Sequence, residues 1–404
     1  MTKSTAPQET DTRGPLQDLV VVDLSRALAG PHATMMLGDM GARVIKVEAP
    51  GKGDESRGWG PPFVGPEDAR ESTYFLSCNR NKESVTADLK SPEGVDLLTR
   101  LVRHGDVLVE NFRPGVMDRL GFSDERLHEI NPRLVILSIS GFGHDGPQGG
   151  RPGYDQIAQG EAGLMSLTGP DPDTPTKVGV PIGDLLAGMW GAYGVLSALY
   201  ERERTGRGKV VRTSLLASIV GVHAFQGTRY TVAGEVSRAT GNHHAAIAPY
   251  GLFRCEGGAI QAAVANDTLW AKFARIVGLD ATDPRFENNT RRTAHRDELV
   301  EEIEKELLQR PAAHWLALLH AAGIPAGEVR TLDQVYNCPQ TRSQGLVIEV
   351  DHSSLGPIEL PGPAVRFDDG CRLRHLAPPR LGEHDDSVRA WLDGHDAWLD
   401  GHDA

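Results

Sequence analysis

The chain is 404 residues long, more than one ordinary hydrophobic core accommodates, so two domains are expected. Its formal charge of −13 argues against general nucleic-acid binding, although a local cluster of Arg and Lys can still hold an anionic ligand. No apolar run approaches the roughly 20 residues that cross a bilayer, and residues 1–14 lack signal- or transit-peptide features. The expectation is a cytoplasmic protein with no membrane partner and a loose N-terminal arm over 1–14.

In chain order, a short apolar run at residues 19–24 predicts a buried parallel strand. A helix follows over 31–40, then strands over Arg43–Glu48 and over 84–89. Ser91, Pro92 and Glu93 supply an N-cap and a proline at the first helical position, opening a helix to about His104. Strands are predicted over 106–110 and 134–139, separated by a helical Asp124–Ile130. Strands alternating with helices imply an α/β fold with a doubly wound, Rossmann-like parallel sheet, and ligands bind beyond the carboxyl ends of such strands. Residues 111–113 and 140–142 fall at two of those ends. A long helical spacing of apolar residues then runs from Leu185 to Tyr200.

Beyond about residue 225 the pattern changes. Residues 251–264 read as a hairpin turning at Glu256-Gly-Gly258, and helices follow over 268–277, 294–308 and 311–322. The large α/β domain therefore covers 15–225 and a smaller α+β domain 226–330. Strand character returns over 346–350 and 357–360. The heptapeptide 391–397 repeats at 398–404, with Gly394 and Gly401 interrupting any coiled coil, so 393–404 reads as a duplicated tail without a catalytic role.

The segment richest in chemistry is 178–189, Val-Gly-Val-Pro-Ile-Gly-Asp-Leu-Leu-Ala-Gly-Met. It sets one carboxylate, Asp184, between Gly183 and Gly188 at the mouth of the long helix. Backbone N–H groups at a helix start favour an anion and lower its pKa. Taken alone, Asp184 is also a plain N-cap. Asp155, in Gly153-Tyr-Asp155, is a second carboxylate or a solvated loop residue. Lys90, Arg113 and Arg119 are cationic candidates, each of which alone reads as a surface side chain. Cys78, Cys255, Cys338 and Cys371 form no CxxC pair and read as reduced thiols, and the fifteen His residues contain no HExxH, so no metal is expected.

Together with Leu28-Ala-Gly-Pro31, Val44-Ile-Lys-Val-Glu48, Cys78-Asn-Arg-Asn-Lys82, Val109-Glu-Asn-Phe-Arg-Pro-Gly115 and Ala377-Pro-Pro-Arg-Leu-Gly-Glu-His384, the Asp184 segment resembles the class III CoA-transferases, in motif order along 15–392. Ile247-Ala-Pro-Tyr-Gly251 and Leu360-Pro-Gly-Pro-Ala-Val-Arg366 are most similar to the branch that uses succinyl-CoA and dicarboxylates such as glutarate. The resemblance implies that residues 331–392 rejoin the large domain and that two chains interlock as a homodimer. It implies no prosthetic group: coenzyme A thioester is a substrate, and the other partner is a small carboxylic acid.

By the same resemblance Asp184 is the nucleophile, forming an acyl anhydride and then an aspartyl-CoA thioester, with Asp155 and Tyr154 beside it. CoA contacts are implied at Leu28, Ala29, Ala87, Asp88, Leu89, Lys90, Asn111, Phe112, Arg113 and Arg119. Arg238, His243 and His244 are candidates for the acceptor's distal carboxylate. Two positions depart from the formyl-CoA transferases: Leu28 replaces a Gln that would hydrogen-bond an acyl oxygen, and Ala49 replaces an Arg. The related α-methylacyl-CoA racemases carry a basic His where this chain has Tyr154. A phenol of pKa about 10 is a poor base at neutral pH, which disfavours the racemase alternative. A nicotinamide-dependent oxidoreductase is a further rival, but the turn after the first strand has no GxGxxG.

Overall fold

A computed structural model describes residues 14–367 and 375–400. The arm at 1–13, Cys371 and the end of the second heptapeptide copy lie outside the described residues.

Six strands, β1 (Val20–Asp23), β2 (Arg43–Glu48), β3 (Lys82–Thr86), β4 (Val107–Glu110), β5 (Val135–Ser140) and β6 (Val210–Ser214), form one sheet in the order β3-β2-β1-β4-β5-β6. Every pairing is parallel. This is the doubly wound order, with its topological switch between β1 and β4. The strands are rich in Val and Ile because both faces are covered. Val21, Val107, Val109, Val135 and Leu137 belong to one buried cluster, and Val22, Ile45, Leu108 and Ile136 to the other.

Helices α1 (Ala29–Asp39) and α5 (Ile182–Thr205) cover the first face, while α2 (Pro92–His104) and α3 (Asp124–Ile130) cover the second. Ser91 caps α2 by accepting from the Gly94 N–H at 3.1 Å. A Cβ on Gly188 would stand 2.7 Å from the Ala29 carbonyl oxygen, and one on Gly194 would stand 2.6 Å from the Val211 side chain. These glycines let α5 lie flush on α1 and the sheet, and Gly206, at φ 71°, closes it in the left-handed conformation. Contrary to the sequence expectation of no membrane-length run, α5 is long and apolar enough to cross a bilayer by length and mean hydropathy. Its buried face instead meets α1 and β5.

Two compact units are present: Met1–Leu164, Val178–Thr228 and Pro339–Ala404 form the first, and Met165–Lys177 with Arg229–Cys338 the second. Membership of Met165–Lys177 in the second unit is not anticipated by the sequence. Within the first unit, Val347–His352 and Gly356–Pro361 pair antiparallel. Helix Asp385–Asp400 runs straight through Gly394, into the segment that the sequence reads as a duplicated tail. Val388 and Leu392 are buried with α2, and Asp393 and Asp396 each meet Arg100 at 2.6 Å.

The second unit contains the predicted hairpin, Tyr250–Cys255 against Gly258–Ala263, with Ala326–Glu328 as a third strand. Gly257 takes φ 70° at the turn. Phe253, Ile260, Trp270, Phe273, Leu299 and Leu319 make its core.

Candidate active site

Asp184 is the third residue of α5. Pro181 occupies the N-cap and has no capping side chain, so Asp184 is not the N-cap that its sequence position also allowed. The cap comes from another helix. Asp155, first residue of α4 (Asp155–Glu161), accepts through Oδ1 from the N–H groups of Gly183 at 2.7 Å and Asp184 at 3.3 Å. Its Oδ2 accepts from the Gln159 amide at 2.7 Å.

Because Asp155 takes those N–H groups, the Asp184 carboxylate has no hydrogen bond among the described residues. Burial first, and then the Asp155 charge, push its carboxyl from the usual 3.8 up to about 7. This corrects the expectation that the helix N-terminus lowers it. The N–H groups that would stabilise the Asp184 anion already serve Asp155.

Tyr154, which precedes the pair, is exposed. Tyr74 is a neighbour the sequence did not single out. Burial, and then the charges of Asp184, Cys78 and Asp155, push its hydroxyl up to about 12. Its hydroxyl is therefore neutral at physiological pH, close enough to feel both carboxylates. Tyr74 and Leu185 pack against Leu28, Met35 and Cys78, which gives the wall beside Asp184 an apolar character.

Of the implied CoA residues, Leu28, Ala29, Asn111, Phe112 and Arg113 lie beyond the ends of β1 and β4 that flank the topological switch, whereas residues 87–90 follow the edge strand β3 and Arg119 ends a short helix, Val116–Arg119. Asn111 ties the two ends together, since its amide accepts from the Arg26 N–H at 2.8 Å and donates to the Arg26 carbonyl at 2.7 Å. The Arg26 guanidinium stands 5.0 Å from the Phe112 ring centre, a further cation that the sequence left unmarked. Leu28 and Ala29 are buried at the start of α1, and Ala87 is buried just after β3. Asp88 and Lys90 are exposed and Leu89 half-buried, with the Lys90 N–H donating to the Asp88 carboxylate at 3.0 Å. Arg113 and Arg119 are exposed, and no carboxylate pairs with either among the described residues.

Arg113 also edges a cavity of about 210 Å³ that Glu110, Ser138, His144 and Arg212 line. Glu110, Ser138 and Arg212 stand in register across β4, β5 and β6. The Ser138 hydroxyl bonds Glu110 and meets His144 Nε2 at 2.7 Å. Serine, not histidine, is in the middle, so this is not a nucleophile–base–acid triad. Burial pushes Glu110 up to about 7 although Ser138 and the Phe112 N–H both bond it.

The motif at 78–82 proves to be scaffolding. The Lys82 ammonium meets Asp23 at 3.0 Å, Asn79 at 2.9 Å and the Pro31 carbonyl at 2.9 Å, and Arg80 pairs with Asp39. Lys46 meets Asp54 at 2.8 Å alongside. Burial alone would raise Asp23, but Lys82 and Lys46 outweigh it and hold the carboxyl at about 2.

The acceptor candidates lie in the second unit. Arg238 is exposed. His243 packs against Phe253 with ring centres 5.6 Å apart, and burial lowers its pKa. His244 stacks on Tyr250 at 5.1 Å and accepts from the Ala246 N–H through Nδ1 at 3.1 Å.

A doubly wound sheet, charged and aromatic groups at its switch point, and a bare carboxylate at a helix start define an α/β protein with a candidate site built on a carboxylate. The particular family follows from direct comparison: the model of CoA-transferase family III matches residues 16–385, and the chain belongs to that family. It is 38% identical to succinyl-CoA:glutarate CoA-transferase of Mus musculus, over 93% of this chain and 86% of that one. It is 39% identical to acetyl-CoA:oxalate CoA-transferase of Acetobacter aceti, over 93% and 95%. The crystal structure of a CAIB/BAIF family protein from Brucella suis matches with TM-score 0.84 at 39% identity, covering 94% of this chain and 100% of that one.

Proposed function

We propose that this enzyme passes CoA from an acyl-CoA donor to a carboxylic acid with Asp184 as the covalent carrier. The observation that carries the reading is the Asp184 carboxylate itself, half-buried, beside a second carboxylate that takes its helix N–H groups, and without a hydrogen-bond partner among the described residues. Desolvation and like charge make such a group a better nucleophile than a solvated one. Its oxygen attacks the donor thioester carbon, and the C–S bond breaks to give an acyl-aspartyl anhydride and CoA thiolate. The thiolate attacks the aspartyl carbonyl, expelling the donor acid as its carboxylate. The acceptor carboxylate then attacks the aspartyl-CoA thioester, and the returning thiolate converts the new anhydride into product thioester and free Asp184. Each step keeps an activated carbonyl, so the cycle balances without ATP or metal.

Succinyl-CoA with a short dicarboxylate is the substrate pair we favour, supported by the activities named for the relatives. In this reading Lys90, Arg113 and Arg119 hold CoA phosphates. Residues 87–89 and Leu28, Ala29, Asn111 and Phe112 line its remainder, and Arg238, with His243 and His244, meets the acceptor's distal carboxylate. Truncating Arg113 or Arg119 to Ala should weaken every acyl-CoA by a similar factor, about 1.5–3 kcal/mol, and leave the ranking of acceptors unchanged. Donor KM values that stay put while acceptor preference changes would assign these arginines to the acceptor instead.

We further propose a homodimer. Trp190, Tyr193, Leu196 and Tyr200 on α5, and Phe225 beyond it, stand exposed on the first unit, and exposed large apolar side chains close together on one helix favour a covering partner. Sedimentation should show two chains.

The test of the carrier is trapping. Incubation with succinyl-CoA followed by hydroxylamine should convert Asp184 to its hydroxamate, read by peptide mass spectrometry. Full transferase activity in Asp184→Ala would overturn the reading.

A further inference from the structure

We propose that Gln159 is a positioning residue for the transfer: it locks Asp155 as the cap of α5 and so keeps Asp184 free to react. The proposal rests on the reading of Asp184 as nucleophile.

A helix start leaves its first N–H groups without intrahelical partners. An aspartate in the first turn can fold back onto such groups itself, since short polar side chains bond nearby backbone readily. At α5 that is prevented because Asp155 already occupies the N–H groups of Gly183 and Asp184. Asp155 is only half-buried and sits on a different helix, so something must hold its carboxylate there. Gln159, one turn along α4 and fully buried, does this. Its amide nitrogen donates to Asp155 Oδ2 at 2.7 Å, and its amide oxygen accepts from the Val178 N–H at 2.9 Å.

The second bond gives the first its meaning. With its oxygen committed to a backbone N–H, the amide can only present its NH2 group to Asp155. A chain of hydrogen bonds therefore runs from Val178 through Gln159 and Asp155 to the first turn of α5. The side chain must be a donor at one end and an acceptor at the other, at this length. Glutamine meets that need at any pH, and glutamic acid meets it only while protonated. An ionised glutamate at this position would turn a carboxylate toward Asp155 and repel it.

That asymmetry separates positioning from bulk packing. Transfer from succinyl-CoA to glutarate would be measured from about pH 5.5 to 8.5 for wild type, Gln159→Leu, Gln159→Glu and Asp184→Ala, with thermal melting of each. Relative to wild type, Gln159→Leu should lose at least about tenfold in kcat at every pH, with donor KM within about twofold. Gln159→Glu should stay near wild type at the acid end and fall at least about tenfold as pH rises. If Gln159→Leu does not fold, the pH-dependent ratio of Gln159→Glu to wild type decides alone. A ratio that stays flat across the range, or a Gln159→Leu enzyme matching wild type, would overturn the proposal. Full activity in Asp184→Ala would overturn the nucleophile reading, whereas an inactive Asp184→Ala beside unaffected Gln159 variants would remove only the role of Gln159.

Discussion

Two acids in the first unit, Asp23 fully buried and Asp184 half-buried, are treated in opposite ways. Asp23, at the end of β1, is fully buried yet held at about 2 by Lys82 and Lys46. Asp184, at the start of α5, faces another carboxylate and is pushed up to about 7. Burial penalises both anions, and the neighbours decide the sign. Where the fold needs rigidity it surrounds the acid with ammonium groups. At Asp184, the carboxylate we propose as the carrier, the fold withholds partners and gives the helix N–H groups to Asp155.

The largest effect should come from breaking the satisfied cluster. Lys82→Met leaves Asp23 buried with one cation fewer, and should destabilise the protein by about 3–5 kcal/mol in urea unfolding. Asp23 has a folded pKa below its unfolded value. The stability it provides is present above the usual 3.8 and lost as pH falls toward 2, so Lys82→Met should flatten stability in that window.

Asp184 should behave in the opposite sense. Its folded pKa lies above 3.8, so its favourable contribution is present below about 4 and lost as pH rises through 7. Asp184→Asn should therefore stabilise the fold by about 1–3 kcal/mol at pH 8, and by much less at pH 5, while abolishing transfer. A uniform change at both pH values would show that Asp184 is not desolvated in this way.

Asp155→Asn offers a smaller, sharper perturbation. The like charge beside Asp184 is gone, and because the new amide turns an NH2 toward the Gln159 NH2, the variant loosens the Gln159 lock as well. The acid limb of the kcat/KM profile should move to lower pH, and an unmoved limb would make burial the whole cause.

Much of this contrast was legible in the sequence, and its sign was not. Short apolar runs located β1, β4 and β5, β2 was found although Lys46 interrupts it, and the apolar spacing after Asp184 marked α5. β6 escaped because Arg212 interrupts a five-residue strand that directly follows a glycine-rich stop. A chain alone cannot show which helix caps another. The spacing of Asp155 and Gln159, four residues apart, is the only hint, and it is meaningful only once α4 is known to begin at Asp155. The motif at 78–82 was visible as a pattern, but its role in bracing Asp23 required the sheet to bring residues 59 apart together.

The most direct test is a 13C NMR titration of aspartate side-chain carboxyls in wild type and Asp184→Asn. One resonance should titrate near pH 7 in wild type and be missing from the variant, and another, from Asp23, should stay ionised down to about pH 3. A spectrum in which every aspartate titrates between about 3 and 5 would contradict the account.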